Sequence, residues 1–122
     1  MKKILIVDDS ELNVLLVSTM LEKDYSVYTA FSGEEALKQI AMMMPDLVIS
    51  DIVMQNISGI DLCKEIRKNP KTAHMPIILL TATDDTLAER SYRSGADEVL
   101  GKPVKPQLLK AKITKLLQRP VI

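Results

Sequence analysis

The chain has 122 residues, of which 47% are hydrophobic and 26% are charged, and its formal net charge at pH 7 is zero. This length and composition are typical of a soluble globular protein, and residues 1–122 are interpreted as a single domain. The single cysteine, Cys63, excludes an internal disulfide and a cysteine-based zinc site, and it favours a reducing, cytoplasmic setting. No apolar run approaches the roughly 20 residues that a membrane span needs. No basic run is interleaved with aromatic residues, which argues against direct nucleic-acid binding.

Five short apolar runs alternate with five helical patterns along the chain. The predicted strands cover residues 3–7, 26–30, 47–50, 77–81 and 98–100. The predicted helices cover about 10–23, 32–44, 59–68 and 86–94, with a last helix beginning at Pro106. This alternation predicts an α/β fold with a parallel sheet covered by helices on both faces. The loops that follow the strands then meet at one edge of the sheet.

Capping residues and apolar spacing define the helices in more detail. Ser10 is a good N-cap for the first helix, and Ser32 with Glu35 forms a capping-box pattern for the second. Gly95 is placed to end the fourth helix. The predicted core-facing residues are Leu12, Leu15, Leu16 and Met20 in the first helix and Leu109, Ile113, Leu116 and Leu117 in the last.

Charged or hydrogen-bonding residues lie at or just after the carboxyl ends of four of the predicted strands. These are Asp8 and Asp9 after the first strand, Asp51 after the third, Thr81 at the end of the fourth and Lys102 after the fifth. Three carboxylates in one cleft repel each other, so the cluster requires a cation or takes up protons. All-oxygen ligands in an open site favour Mg²⁺. A divalent ion, a lysine and a hydroxyl around a carboxylate form a site suited to phosphoryl transfer.

Five fragments of the chain together resemble the response-regulator receiver domain of two-component signalling. They are Val-Asp-Asp-Ser (7–10), Ser-Asp-Ile-Val-Met (50–54), Ser-Gly (58–59), Leu-Leu-Thr-Ala (79–82) and Gly-Ala-Asp-Glu-Val-Leu-Gly-Lys-Pro (95–103). Each fragment is a weak signal, but their order and spacing across almost the whole chain are specific. The resemblance implies a flavodoxin-like, doubly wound five-stranded parallel sheet with strand order 2-1-3-4-5 and five helices.

The same resemblance assigns roles to the residues at the strand ends. Asp51 becomes the phosphoacceptor, and Asp9 and Asp51 become direct Mg²⁺ ligands together with the backbone carbonyl of Val53. Asp8 is expected to act through metal-bound water. Lys102, whose bond to Pro103 is expected to be cis, would bind a phosphoryl oxygen. Thr81 would donate a hydrogen bond to the bound phosphoryl group, with the Ala82 amide as a further donor.

The resemblance also implies the partners. They are a sensor histidine kinase or phosphotransfer protein that donates the phosphoryl group, and a downstream effector domain or protein; a phosphorylation-dependent homodimer is a further expectation. The domain is expected to modify itself and lose the phosphoryl group by autodephosphorylation, not to act as an enzyme on other substrates. Receivers with a similar stretch from Asp61 to Pro76 occur alone, in diguanylate-cyclase regulators and in hybrid kinases. The chain is therefore either a single-domain regulator or an excised receiver.

Three positions depart from the usual family pattern. Val99 stands where an aromatic residue usually couples to the moving threonine, so the output is expected to run through the fourth helix and fifth strand. Gln55 stands where proline is common, which predicts a looser loop after Asp51. Val53 is apolar and faces the phosphoryl position, which predicts a longer-lived phosphorylated state because it cannot orient an attacking water.

Two other functions are compatible with parts of the pattern. A haloacid-dehalogenase-type phosphatase also uses an aspartyl phosphate and Mg²⁺, but it requires a second Asp two residues after the nucleophile. Here Ser10 and Glu11 occupy that spacing after Asp8 and Asp9. A flavodoxin-type flavin binder requires a Ser/Thr-rich phosphate loop after the first strand, whereas this loop is acidic.

Overall fold

A computed structural model describes residues 1–82 and 85–119 as five strands and five helices in strict alternation. Strands β1 to β5 span Lys3–Val7, Ser26–Ala30, Leu47–Asp51, Ile77–Thr81 and Glu98–Gly101. Helices α1 to α5 span Glu11–Leu21, Gly33–Met43, Gly59–Lys68, Asp85–Arg93 and Pro106–Leu117. Each predicted element is present, and the predicted limits differ by only a few residues from the observed ones. None of the helices in the described ranges combines the length and apolar character needed to cross a membrane.

The strands form one parallel sheet in the order β2-β1-β3-β4-β5, which confirms the expected topology. Val7 of β1 pairs with Ser50 of β3, and Thr81 of β4 pairs with Gly101 of β5. The carboxyl ends of these four strands therefore lie side by side. The polar residues at or just after those ends are brought to one edge of the sheet, as predicted.

Alternate residues of the buried strands pack into two cores, one on each face of the sheet. Leu5, Val48 and Leu79 face the core covered by α2 and α3, and the buried Cys63 of α3 lies in it. Ile4, Ile49 and Ile78 face the core covered by α1 and α5. Strands buried on both faces consist of nearly continuous aliphatic residues, which is why the sequence shows runs instead of polar–apolar alternation.

The predicted buried face of α1 is wrong. Leu12, Leu15 and Leu16 are 64%, 62% and 51% exposed, and Met20 only packs at the edge of the core. The buried residues are instead Val14, Val17 and Leu21. These three are spaced i, i+3, i+7 and form a second apolar stripe on the same helix, so periodicity alone could not choose between the two faces.

Serine residues begin the first three helices. Ser10 Oγ accepts a hydrogen bond from the backbone N–H of Asn13, and Ser32 Oγ accepts one from that of Glu35. The Glu35 carboxylate accepts from the backbone N–H of Phe31, one residue earlier than in a standard capping box. Gly95, which follows α4, has a φ of 108° as expected for a residue that ends a helix.

Arg67 of α3 fixes the amino-terminal end of β4. Its Nε and Nη2 donate to the carbonyl of Gly95, and its Nη1 donates to the carbonyls of Ala73 and Met75. Nη2 also forms an ion pair with Asp97 at 3.0 Å. The side chain of Arg67 thus ties the loop before β4 to the loop after α4.

A cavity of about 560 Å³ lies beside Arg67 and Asp97. Asp8, Asp9 and Asp51, at the opposite edge of the sheet, do not line it.

Candidate phosphoryl-acceptor site

Three carboxylates meet at the carboxyl ends of β1 and β3. Each of Asp8, Asp9 and Asp51 offers one oxygen that lies within 4.8 Å of the corresponding oxygens of the other two. Asp8 and Asp51 are 4% and 8% exposed, whereas Asp9 is exposed. The predicted cluster is therefore present in the structure.

Lys102 places its ammonium group within this cluster. Its Nζ lies 2.8 Å from Asp51 Oδ1 and 3.8 Å from Asp8 Oδ2. The backbone N–H of Lys102 donates to the carbonyl of Thr81 at 2.7 Å, which fixes the lysine beside the end of β4. The peptide bond from Lys102 to Pro103 is cis, as expected. One ammonium among three carboxylates leaves the site with an excess of negative charge.

The environment of Asp8 opposes its ionisation. Burial raises the pKa of the Asp8 carboxyl above its ordinary value, and the charge of Asp51 raises it further. The hydrogen bond that Asp8 Oδ1 accepts from the backbone N–H of Ser10, at 3.0 Å, and the charge of Lys102 lower the pKa, but the net change is a rise. An added cation would remove this cost of holding charge at the site.

Thr81 carries a buried hydroxyl that has no partner among the described residues. The residue is 6% exposed, and within residues 1–82 and 85–119 no group forms a hydrogen bond with Oγ1. A buried unpaired hydroxyl costs free energy and needs an explanation. A ligand oxygen that arrives next to the end of β4 would supply the missing acceptor.

The loop after Asp51 is packed closely against the strand end by Gly59. Gly59 N–H donates to the carbonyl of Ile52 at 2.8 Å, and a Cβ at Gly59 would lie 2.2 Å from the Asp51 carbonyl oxygen. Only glycine permits this approach. Val53, two residues after Asp51, has a side chain 70% exposed, and the role of its carbonyl as a metal ligand stays a prediction.

Several contacts at the site were missed by sequence reasoning. The backbone N–H of Gln55 donates to Asp9 Oδ2 at 3.2 Å, so the loop after Asp51 is bonded to the acidic cluster. The backbone N–H of Val99, at the position expected to carry an aromatic ring, donates to the hydroxyl of Tyr92 at 3.2 Å. The phenol of Tyr92 thereby links the last turn of α4 to β5.

A cavity of about 430 Å³ opens beside the acidic cluster, between α1 and the segment after β5. Its lining includes Asp8 and Lys102 together with the apolar side chains of Leu16, Met20 and Val104. Leu16, one of the exposed leucines of α1, therefore borders the same cavity as Asp8 and Lys102.

The model of the response regulator receiver domain family matches residues 4–114. The chain belongs to this family. The receiver domain is 38% identical over 120 residues to the alkaline phosphatase synthesis transcriptional regulatory protein PhoP of Bacillus subtilis, a match that covers 97% of this chain and 49% of that protein. It is 36% identical over 118 residues to the response regulator PleD of Caulobacter vibrioides, a match that covers 93% of this chain and 26% of that protein.

The solved structures agree with this assignment. The signal receiver domain of a signal transduction histidine kinase from Syntrophus aciditrophicus superposes with a TM-score of 0.90 at 32% identity, over 100% of this chain and 97% of that chain. This receiver domain spans about half or less of the length of the curated relatives described above. Receiver domains related to it thus occur within several kinds of longer protein.

Proposed function

We propose that this receiver domain accepts a phosphoryl group on Asp51 from a phosphohistidine of a partner protein and changes conformation in response. The observation that carries the proposal is the ion pair of 2.8 Å between Lys102 and Asp51 inside a cluster of three carboxylates, at the sheet edge where β4 ends in Thr81, whose buried hydroxyl is unpartnered in the part of the chain that the structure describes. Lys102 contacts Oδ1 of Asp51, and Oδ2 is the oxygen we assign to attack. That oxygen forms the new bond to phosphorus as the bond from phosphorus to the histidine nitrogen breaks, and the pair of electrons returns to the imidazole.

The donor set fits Mg²⁺. The three carboxylates offer hard oxygen ligands within 4.8 Å of one another, and a single ammonium does not neutralise them. We assign Asp9 and Asp51 as direct ligands with the Val53 carbonyl, and Asp8 as a ligand through water. When bound, Mg²⁺ offsets negative charge on the phosphoryl oxygens.

After transfer, Lys102 and Thr81 hold the phosphoryl group. The ammonium is positioned to pair with one phosphoryl oxygen, because it already lies within ion-pair distance of Asp51. The hydroxyl of Thr81 donates to a second oxygen and thereby gains its missing partner. Val99 has no aromatic ring that could move when Thr81 moves. We therefore assign Tyr92 and β5 as the next contacts in the response, because the Val99 N–H donates a hydrogen bond to the Tyr92 hydroxyl.

Labelling with a small phosphodonor tests this function. The chain is incubated with Mg²⁺ and acetyl phosphate, and the mass of the intact protein is measured. We expect one phosphoryl group per chain on the wild type and none on Asp51→Asn. Equal labelling of Asp51→Asn, or an unlabelled wild type, would contradict the assignment. Continuous turnover of a general phosphomonoester would instead favour the dehalogenase-type phosphatase.

The hydroxyl of Thr81 is tested separately with beryllofluoride, which mimics the phosphoryl group. We expect Thr81→Ser to retain the amide chemical-shift changes of the wild type, because the serine keeps the hydroxyl. Thr81→Ala is expected to bind beryllofluoride but to lose the shift changes in α4 and β5. Equal responses of the two variants would show that the hydroxyl is not needed. Sizing of the same samples tests the expected phosphorylation-dependent homodimer.

The exposed leucines of α1 are our candidate contact for the phosphodonor protein. Leu12, Leu15 and Leu16 form one apolar strip on α1, and Leu16 lines the cavity that also contains Asp8 and Lys102, so a donor seated on the strip would lie close to the lysine that pairs with Asp51. Burial of a whole leucine contributes about 1.5–3 kcal/mol, and Leu15 is 62% exposed. We therefore expect Leu15→Ser to weaken docking by about 1–2 kcal/mol, or roughly 5- to 30-fold.

Comparison of two phosphodonors isolates this docking step. The kinase is the one from the same genome that phosphorylates the wild type fastest, and acetyl phosphate serves as the small donor. Leu15→Ser should slow transfer from the kinase while leaving labelling by acetyl phosphate unchanged. Met42→Ser, at an 85% exposed position on α2, is the control and should change neither rate. Unchanged kinase transfer in Leu15→Ser would reject the leucines as the contact.

We place these reactions in the cytoplasm, where the free thiol of Cys63 stays reduced.

A further inference from the structure

The three acids of the site differ in what supports their charge. Asp51 and Asp8 both lie within ion-pair distance of Lys102, and Asp8 also accepts the N–H of Ser10. Within residues 1–82 and 85–119, no side-chain cation lies within ion-pair distance of Asp9. Its carboxylate instead accepts the backbone N–H of Gln55, 46 positions further along the chain, at 3.2 Å.

This hydrogen bond joins the two loops that supply the proposed metal ligands. Asp9 belongs to the loop after β1, whereas Gln55 belongs to the loop after β3, which begins after Asp51 and also contains Val53. The N–H of Gln55 contacts Oδ2 of Asp9 and leaves Oδ1 available to an ion. A donor of this kind restrains the rotation of the carboxylate and its distance from the second loop.

We propose that the main-chain N–H of Gln55 positions Asp9 for Mg²⁺ binding. The inference rests on the proposed function, because it assumes that Asp9 is a ligand. Hydrogen bonds that orient metal ligands are typically worth 10- to 100-fold in metal affinity. Proline, which is common at this position in the family, has no N–H and cannot make the contact. The residue type at position 55 thus decides whether the contact with Asp9 can form.

Two substitutions at Gln55 separate the backbone donor from the side chain. Gln55→Ala removes the side chain but keeps the N–H, and Gln55→Pro removes the N–H. Mg²⁺ affinity is measured by isothermal titration calorimetry without a phosphodonor. We expect Gln55→Ala to bind within about twofold of the wild type and Gln55→Pro to bind about 10-fold more weakly, the lower end of the range for such contacts. Equal or tighter binding by Gln55→Pro would overturn the proposal.

A second measurement distinguishes loss of the donor from distortion of the loop by proline. The amide proton of Gln55 is observed by NMR in the metal-free protein, in the wild type and in Asp9→Ala. If the hydrogen bond exists, Asp9→Ala moves this resonance upfield and speeds its exchange. The control Glu11→Ala, which removes a neighbouring exposed acid, leaves it in place. A resonance that does not respond to Asp9→Ala overturns the proposal, even where Gln55→Pro weakens binding.

Failure of the proposed function has a different signature. If the wild type itself does not bind Mg²⁺, both the metal assignment and the positioning role of Gln55 are wrong. If the wild type and Gln55→Pro bind Mg²⁺ equally, the metal site stands and only the positioning role is wrong.

Discussion

Replacement of Asp8 by asparagine should make the metal-free protein more stable. Asp8 is 4% exposed and is held among two other carboxylates. The asparagine side chain has nearly the same shape as the aspartate, and its oxygen could still accept the N–H of Ser10. The substitution Asp8→Asn thus removes a buried charge while preserving the local contact.

The size of the effect follows from the distances. At an effective dielectric near 20, two like charges within 4.8 Å of each other repel by at least about 3.5 kcal/mol, and Asp8 has two such neighbours. The attraction of Lys102 at 3.8 Å offsets about 4.4 kcal/mol of this. The exposure of Asp9 screens its share of the repulsion, whereas the burial of the Asp8 charge adds a cost of its own, so we expect a gain of about 1–3 kcal/mol in the free energy of unfolding. For 122 residues this corresponds to a rise in Tm of about 4–12 °C.

The raised pKa of Asp8 also fixes the direction in which the free energy of unfolding changes with pH. The pKa of Asp8 is raised in the folded state from an unfolded value near 3.8, so below 3.8 the group is protonated in both states and costs nothing. As pH rises from 3.8 through the raised pKa, the folded state retains a proton that the unfolded state has lost, and the wild type loses stability. The advantage of Asp8→Asn should grow over this interval and then remain constant.

Thermal unfolding followed by circular dichroism in EDTA measures this gain. Asp24→Asn, which removes an exposed acid paired with Lys110 at 3.9 Å, is the matched control and should change the free energy of unfolding by less than about 1 kcal/mol. Added Mg²⁺ should stabilise the wild type more than Asp8→Asn, so the two curves converge. A variant that is no more stable than the wild type in EDTA would refute the view that the acids of this site destabilise the empty fold.

Three further substitutions have expected outcomes. Gly59→Ala places a Cβ 2.2 Å from the Asp51 carbonyl oxygen, so it should lower the free energy of unfolding by about 1–3 kcal/mol and slow labelling of Asp51, as measured by denaturant titration and intact mass. Val53→Asn adds a polar group that can orient water, and it should shorten the half-life of phosphorylated Asp51; an unchanged half-life would reject the idea. Tyr92→Phe removes the acceptor of the Val99 N–H, so the Val99 amide resonance should move without a phosphodonor, and beryllofluoride should then move it less than in the wild type.

The sheet and the acidic cluster were predictable because they depend on features that the sequence states directly. Aliphatic runs mark the buried strands, and in a parallel sheet the residue after each run must lie at the same edge. This is enough to bring Asp8, Asp51 and Lys102 together without knowledge of any side-chain contact. The order of the strands followed from the resemblance to the family and not from the pattern of apolar residues.

The orientation of α1 and the contacts of single backbone groups were not predictable in this way. Leu15 and Val14 belong to two apolar stripes of one helix, and the choice between them depends on how the helix packs against α5 and the sheet. The bond from Gln55 to Asp9 joins loops 46 positions apart, and an N–H carries no signature in the sequence. From the sequence, Gln55 in place of the expected proline predicts only a looser loop after Asp51. The structure shows that it also supplies a backbone N–H that donates to Asp9.

The contacts of Arg67 and Asp97 hold the amino-terminal end of β4 in place. At its amino-terminal end, Ile77 exchanges two hydrogen bonds with Asp97, and Asp97 is in turn clamped by Arg67 and Arg119. At the opposite end, the hydroxyl of Thr81 has no partner among the described residues. We therefore expect a ligand that pulls on the Thr81 hydroxyl to move the carboxyl end of β4 together with the segment at the end of β5 that is bonded to the Thr81 carbonyl, and not to shift the strand along its neighbours.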